Sequence, residues 1–187
     1  MTGLWIALGI IAAIIVIIVI YVIRTYNKFI KLNNRVENAW AQVNVQLQRR
    51  YDLIPNLVET VKGYAAHESE VLANVTAART AAMNASTPAE QIERNNELTE
   101  AMKSLFAVAE NYPQLRANEN FLQLQDQLAD CENRIGHMRQ SFNDTVMKYN
   151  TAIATFPAVL VAARFRFTGY ELYASEPEAA AVPKVSF

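Results

Sequence analysis

Apolar residues follow two patterns along this chain. The first is an unbroken run. Residues 4–23, LWIALGIIAAIIVIIVIYVI, contain no charged side chain and include fourteen Leu, Ile or Val. About 20 apolar residues span a bilayer core as a helix, and this composition favours insertion by roughly 4–8 kcal/mol. Leu4 and Ile23 bound the run, and Ile14 and Ile18 occupy its middle. Trp5 and Tyr21 stand near its ends, where amphipathic rings prefer the interface. A cleaved signal peptide would need a basic n-region, a shorter apolar core and a small-residue cleavage site. Residues 1–3 are Met-Thr-Gly, and no A-x-A pattern precedes Arg24. The run therefore predicts a transmembrane helix behind a short N-terminal tail.

The second pattern is periodic. Phe29, Leu32, Val36, Trp40, Val43 and Leu47 recur at steps of three and four, which is one face of a helix. Pro55 disfavours helical geometry at the residue before it, so this helix is expected to end near residues 52–54. Pro55 then suits the first position of a second helix reaching residue 85. That helix carries Leu57, Val61, Tyr64, Val71, Val75, Ala78 and Ala82, with Glu68 as an acid at the core margin. Thr87-Pro88-Ala89-Glu90 is a capping box that starts a third helix. Its stripe is Leu98, Met102, Leu105, Ala109 and Tyr112, and Pro113 stops it. The fourth helix has a heptad seam from Phe121 through Leu128, Cys131, Ile135, Phe142 and Tyr149 to Phe156.

Four helices with short connections predict an all-α fold: the transmembrane helix, then an antiparallel up-down four-helix bundle over residues 24–156. The connections at 50–56 and 112–120 would share the end far from the bilayer, about 45 Å away for helices of some 30 residues. The chain after Phe156 would return to the membrane. Residues 157–173 mix aromatic and basic side chains, a composition suited to an interfacial helix on an anionic surface. The candidates for that contact are Phe156, Arg164, Phe165, Arg166, Phe167 and Tyr170. The alternative for this segment is a strap packed on the bundle. Residues 174–187, with Pro177 and Pro183, are expected to form an extended tail.

Charge orients the arrangement. Arg24, Lys28, Lys31 and Arg35 follow the apolar run before the first acid, Glu37. Basic flanks stay cytoplasmic, so a single-pass topology with the N-terminus outside and the main domain in the cytoplasm is expected.

Three stretches now point to a family: YNKFIKLNNRVENAWAQVNVQLQRRYDLIPNLVETVKGYAAHESEVL, AENYPQLRANENFLQLQDQLADCENRI and the closing VPKVSF. Over nearly its whole length the chain closely resembles the bacterial LemA family. The resemblance implies a membrane-anchored antiparallel four-helix bundle in the inner (cytoplasmic) membrane of a bacterium. It implies no established enzymatic activity and no cofactor. Members are often encoded near membrane metallopeptidases and other envelope proteins, and one branch is associated with magnetosome membranes.

The residues agree with a non-enzymatic reading. The net charge of −1 gives no basic footprint for nucleic acid. Cys131 is the single cysteine and falls on the heptad seam, where a free thiol is usually core. His67-Glu68 begins like a zinc-peptidase motif, but position 71 is Val71 rather than the second histidine. A Glu-x-x-His pair would need glutamates three residues before His67 and His137, where Tyr64 and Arg134 stand. No phosphate-binding glycine loop and no G-x-S-x-G elbow occurs.

Two polar groups stand out. Arg50, Asp52 and Asn56 at the first distal connection, with Glu110, Arg116, Asn118 and Asn120 at the second, either cap helices and tie the turns or form a partner-docking tip. Glu37, Asn38, Glu132, Asn133 and Arg134 lie mid-helix and could pair across helices. The expected function is a membrane-anchored scaffold or adaptor of the bacterial envelope, presenting a rigid bundle to protein partners and compatible with a homo-oligomer. A membrane-shaping protein acting through 157–173 is the alternative, and an enzyme or redox sensor a distant third. The expected partners are the lipid bilayer and an unidentified protein.

Overall fold

The computed structural model describes residues 2–173. The tail expected over 174–187, including VPKVSF, lies outside the described residues. The described chain is all-helical: α1 (Thr2–Lys62), α2 (Ser69–Met83), α3 (Pro88–Ala109), α4 (Pro113–Arg116), α5 (Glu119–Ala154) and α6 (Ala158–Phe165). No strand occurs among the described residues.

The apolar run and the periodic stripe belong to one 61-residue helix, α1. Leu4, Trp5, Ile14, Ile18 and Ile23 are all more than half exposed, so none of the described residues covers the run. α1 is the one helix among the described residues that is long and apolar enough to cross a membrane. Past the run, Phe29, Val36, Val43 and Leu47 are buried, as their spacing predicts.

The expected break at Pro55 does not occur: α1 continues through it to Lys62. Proline removes the N–H that would bond the carbonyl four residues back, and an orphaned buried carbonyl is costly. That carbonyl is Tyr51 O, and it accepts a 2.7 Å hydrogen bond from Arg79 Nε on α2. The arginine replaces the missing donor, so Ile54, Leu57 and Val61 extend the α1 stripe into the core. α2 is correspondingly short, with Leu72, Val75 and Ala82 buried.

α3 starts at the predicted box. Thr87 Oγ1 accepts from Glu90 N at 3.2 Å, and Glu90 Oε2 accepts from Ser86 N at 2.9 Å. The α5 seam is buried at Phe121, Leu128, Cys131, Ile135, Phe142 and Tyr149. It does not reach Phe156, which is 77% exposed. α5 stops at Ala154, the Phe156–Pro157 peptide is cis, and α6 leaves at 97° to α5.

The described residues form two compact units, 2–40 with 141–172 and 41–140 with 173. The first centres on Phe29, Val161 and Ala162, with Val22, Tyr26, Ile153 and Phe167 packed around them. The second draws its core from α1, α2, α3, α4 and α5.

Candidate functional site

In the first unit, the end of the apolar run meets α6. Tyr26 takes the rings of Phe165 at 4.9 Å and Phe167 at 5.6 Å, both edge-on, and Phe167 lies 5.2 Å from Phe29. Edge-to-face pairs of this kind each contribute about 0.5–1.5 kcal/mol beyond their burial. α6 ends in a Schellman cap: Phe167 N donates to Ala162 O at 3.0 Å and Arg166 N to Ala163 O at 3.3 Å. The cap residue Arg166 sits at φ 59°, ψ 40°, the left-handed conformation that glycine usually supplies.

The chain then runs back as a strap. Asn150 grips the Tyr170 backbone from both sides, accepting from Tyr170 N at 3.0 Å and donating to Tyr170 O at 2.8 Å. Tyr170 donates its hydroxyl to Asn33 Oδ1 at 2.9 Å, and its ring lies 5.4 Å from Tyr149. A Cβ at Gly169 would stand 3.0 Å from Asn150 Oδ1, so a larger residue there would make the amide shift by a few tenths of an ångström. Residues 167–170 pack as a strap, while Phe156, Leu160 and Arg164 face outward and Phe165 packs one side of its ring on Tyr26. A groove of about 930 Å³ opens beside the run, with Tyr21, Lys28, Phe29, Lys148 and Phe156 among its walls.

In the second unit the centre is polar. Arg50 is 1% exposed and leads the fully buried side chains by volume. Its Nε lies 2.8 Å from Glu132 Oε1, an ion pair by distance, although the N–H is not aimed at that oxygen. Nη2 donates to Thr99 Oγ1 at 2.8 Å. Burial pulls the guanidinium down from its ordinary value, against the opposing Glu132 charge. One turn away, Tyr51 Oη and the Asn95 side-chain amide exchange hydrogen bonds of 2.8–3.0 Å. Burial pushes the Tyr51 hydroxyl up. Arg139 lies over the Tyr173 ring, 4.4 Å from its centroid. Cys131 is buried and donates to Gln46 O at 3.2 Å. Burial, and then the Glu132 carboxylate, push its thiol up, the opposite of an activated cysteine.

The expected tip changes in composition. Arg50 is core, and Asp52, exposed on α1, accepts from Gln48 at 2.8 Å. The residues 63–68, not 50–56, connect α1 to α2. That connection does meet the other turn: Tyr112 donates to Glu68 Oε1 at 3.2 Å, and Asn118 Nδ2 donates to the Tyr64 hydroxyl at 2.9 Å. Asn118 also caps α5 by accepting from Phe121 N at 3.0 Å. Asn56 shares a groove with Asn120, and Glu110 shares another with Arg116. Of the mid-helix polar residues, Glu132 pairs across helices, while Arg134 pairs with Asp130 and Glu37 with Asn33 along their own helices. The sequence reading missed Arg79, Asn95 and Asn150. Arg79 had a signal: it is the lone basic residue of α2 and sits on the inner spacing 72, 75, 79, 82.

A sequence model of the LemA family matches residues 39–187. The chain belongs to the LemA family. Among curated relatives of this LemA-family chain, magnetosome protein MamQ of Magnetospirillum gryphiswaldense is 23% identical over 178 residues, covering 81% of this chain and 65% of that protein. Magnetosome protein MamQ 2 of Paramagnetospirillum magneticum is 22% identical with the same coverage. Protein LemA of Metamycoplasma hominis is 24% identical over 131 residues, 70% of this chain and 60% of that protein. The chain thus spans less than two thirds of the length of these relatives. Its apolar N-terminal helix and its family make it a membrane-associated helical protein.

Proposed function

We propose that this chain is a membrane-anchored scaffold, a single span continuing into an antiparallel four-helix bundle that is held toward the cytoplasm for protein partners. The observation that carries this reading is the continuity of α1, in which the apolar run and the core stripe share one helix from Thr2 to Lys62. Within the first unit Trp40 meets Phe142 while Ile153 packs on the cluster that holds Phe29, an order that supports α1 and α5 running in opposite senses. The partner surface lies where Tyr64, Glu68, Tyr112 and Asn118 gather, with Arg116 and Asn120 beside them, and a second copy of the chain is among its candidate partners. Two relatives are named magnetosome proteins, which favours a place in a cellular structure. No catalytic step enters the reading, and Cys131 serves as core.

Two measurements test it. A single cysteine at exposed Arg116, in a Cys131→Ala chain, should react with an impermeant maleimide only after the cytoplasmic face is opened; labelling of intact spheroplasts would reverse the orientation. Crosslinking from the same site in native membranes should capture a discrete neighbour. A Gly-Gly-Ser insertion after Arg24 should shift or abolish that crosslink, because it breaks the helix that holds the bundle. An unchanged crosslink would end the rigid-scaffold reading.

A further inference from the structure

α6 stands where a membrane headgroup layer would be. Its inner side packs against Val22, Tyr26 and Phe29, and Val22 is one residue short of the end of the apolar run. A bilayer whose hydrocarbon ends near Ile23 puts its polar layer, several ångströms deep on each side, at this level. The 97° angle to α5 lays α6 across the helix direction. With α5 running beside α1, α6 then lies in the plane of a bilayer that α1 crosses.

The outer side of α6 fits such a layer. Leu160 is 63% exposed, Ala163 and Arg164 continue its face at helical spacing, and Phe156, in the turn just before α6, is 77% exposed. The surrounding charge is of one sign. Residues 20–31 and 147–170 hold Arg24, Lys28, Lys31, Lys148, Arg164 and Arg166 and no Asp or Glu. Arg166 keeps a cation at a left-handed position that glycine occupies without strain. Local backbone strain of this kind points to a functional demand on the side chain.

We propose that α6 is a second membrane contact, lying in the headgroup layer, with Phe156 and Leu160 entering the acyl boundary and Arg164 and Arg166 pairing with anionic phospholipid headgroups. The inference rests on the anchored reading of α1 and adds what a lone span cannot supply, a fixed tilt. Its occupant is lipid rather than protein because the surface is continuous with the span and its charge complements an anionic leaflet.

The test places single nitroxides at residues 14, 45 and 160 of the full chain (Ile14→Cys, Val45→Cys and Leu160→Cys, each with Cys131→Ala) in vesicles. Power saturation then compares access by oxygen with access by a nickel chelate. Site 14 should favour oxygen and site 45 the chelate. In phosphatidylglycerol-containing vesicles site 160 should favour oxygen. It should move toward the value at site 45 in phosphatidylcholine vesicles and in Arg164→Gln/Arg166→Gln. Each basic residue near an anionic surface contributes about fivefold to partition, so the double change should lower the docked-to-undocked ratio about 25-fold. A chelate-accessible site 160 in anionic vesicles, with site 14 in hydrocarbon, overturns the proposal and leaves the anchor standing. Equal oxygen preference in both vesicle types overturns the anionic assignment. Shielding of site 160 from both reagents overturns it in favour of a protein cover. A chelate-accessible site 14 removes the anchored reading, and the inference with it.

Discussion

In the unit of residues 41–140, the largest fully buried side chain is Arg50, tied to Glu132 and Thr99 from two other helices. In the unit of residues 2–40 and 141–172, the fully buried large side chains include Phe29 and Tyr149, edged by Phe167 and Tyr170. One centre is stabilised by directional polar contacts from several helices, the other by ring packing and a single amide grip on a strap. A polar centre specifies which helices meet, because a buried charge is costly away from its partner. An aromatic centre tolerates changes of partner, and it sits where the outward residues of the unit are themselves apolar and basic.

The sharpest way to break this contrast is to remove each centre. Phe29→Ala should cost about 3–5 kcal/mol through the cavity it leaves. Its effect should be insensitive to salt in denaturant titrations of the full chain in detergent. Glu132→Ala should cost toward the low end of roughly 3–5 kcal/mol, because the carboxylate is partly exposed while Arg50 is not. Adding Arg50→Met should recover most of that loss; a double variant as unstable as Glu132→Ala would refute the account of an uncompensated buried charge.

A smaller effect tests the mended helix. Arg79→Leu strands the Tyr51 carbonyl and should cost about 1–3 kcal/mol. Hydrogen exchange should rise first in α1 around Tyr51–Glu59. Protection unchanged there would mean that water substitutes for the arginine without cost.

At Arg166 the sign reverses. Arg166→Gly relieves the left-handed backbone and should stabilise the fold by about 1 kcal/mol, while weakening the lipid contact proposed for α6. Lower thermal stability would show that the side chain does more for the fold than its backbone costs.

The mildest prediction concerns pH. Burial raises the hydroxyls of Tyr51 and Tyr173 above the ordinary tyrosine value. Below pH ~10 both states hold these protons and the groups contribute no slope. Above it the unfolded chain ionises first, so stability falls as pH rises toward the folded values. Tyr173→Phe should flatten that alkaline decline in titrations of thermal midpoint, and an unchanged slope would remove Tyr173 as its source.

Much of this was legible from spacing. The apolar run, the stripes of α1, α3 and α5 and the Thr87 cap needed only local rules. The failures share a cause. Pro55 stops a helix by local chemistry, but a donor 24 residues further along the chain rescues it, and no local rule sees Arg79. Arg50 looked like a surface turn because charge usually marks solvent. It is buried because Glu132, 82 positions away, meets it. Phe156 continues a flawless heptad yet faces outward, since the helix ends two residues before it. The mixed aromatic and basic composition of 157–173 was legible, but which of its residues turn inward depended on contacts with Tyr26, Phe29 and Asn150.

The dependence of Tyr51 on Arg79 also sets a schedule for biosynthesis. The ribosome delivers the N-terminal helix well before the residue that completes it. The nascent chain must hold an open carbonyl at Tyr51, solvated by water, until α2 emerges and closes it. A released chain truncated before Arg79 should therefore exchange its amides near Pro55 faster than one that includes α2.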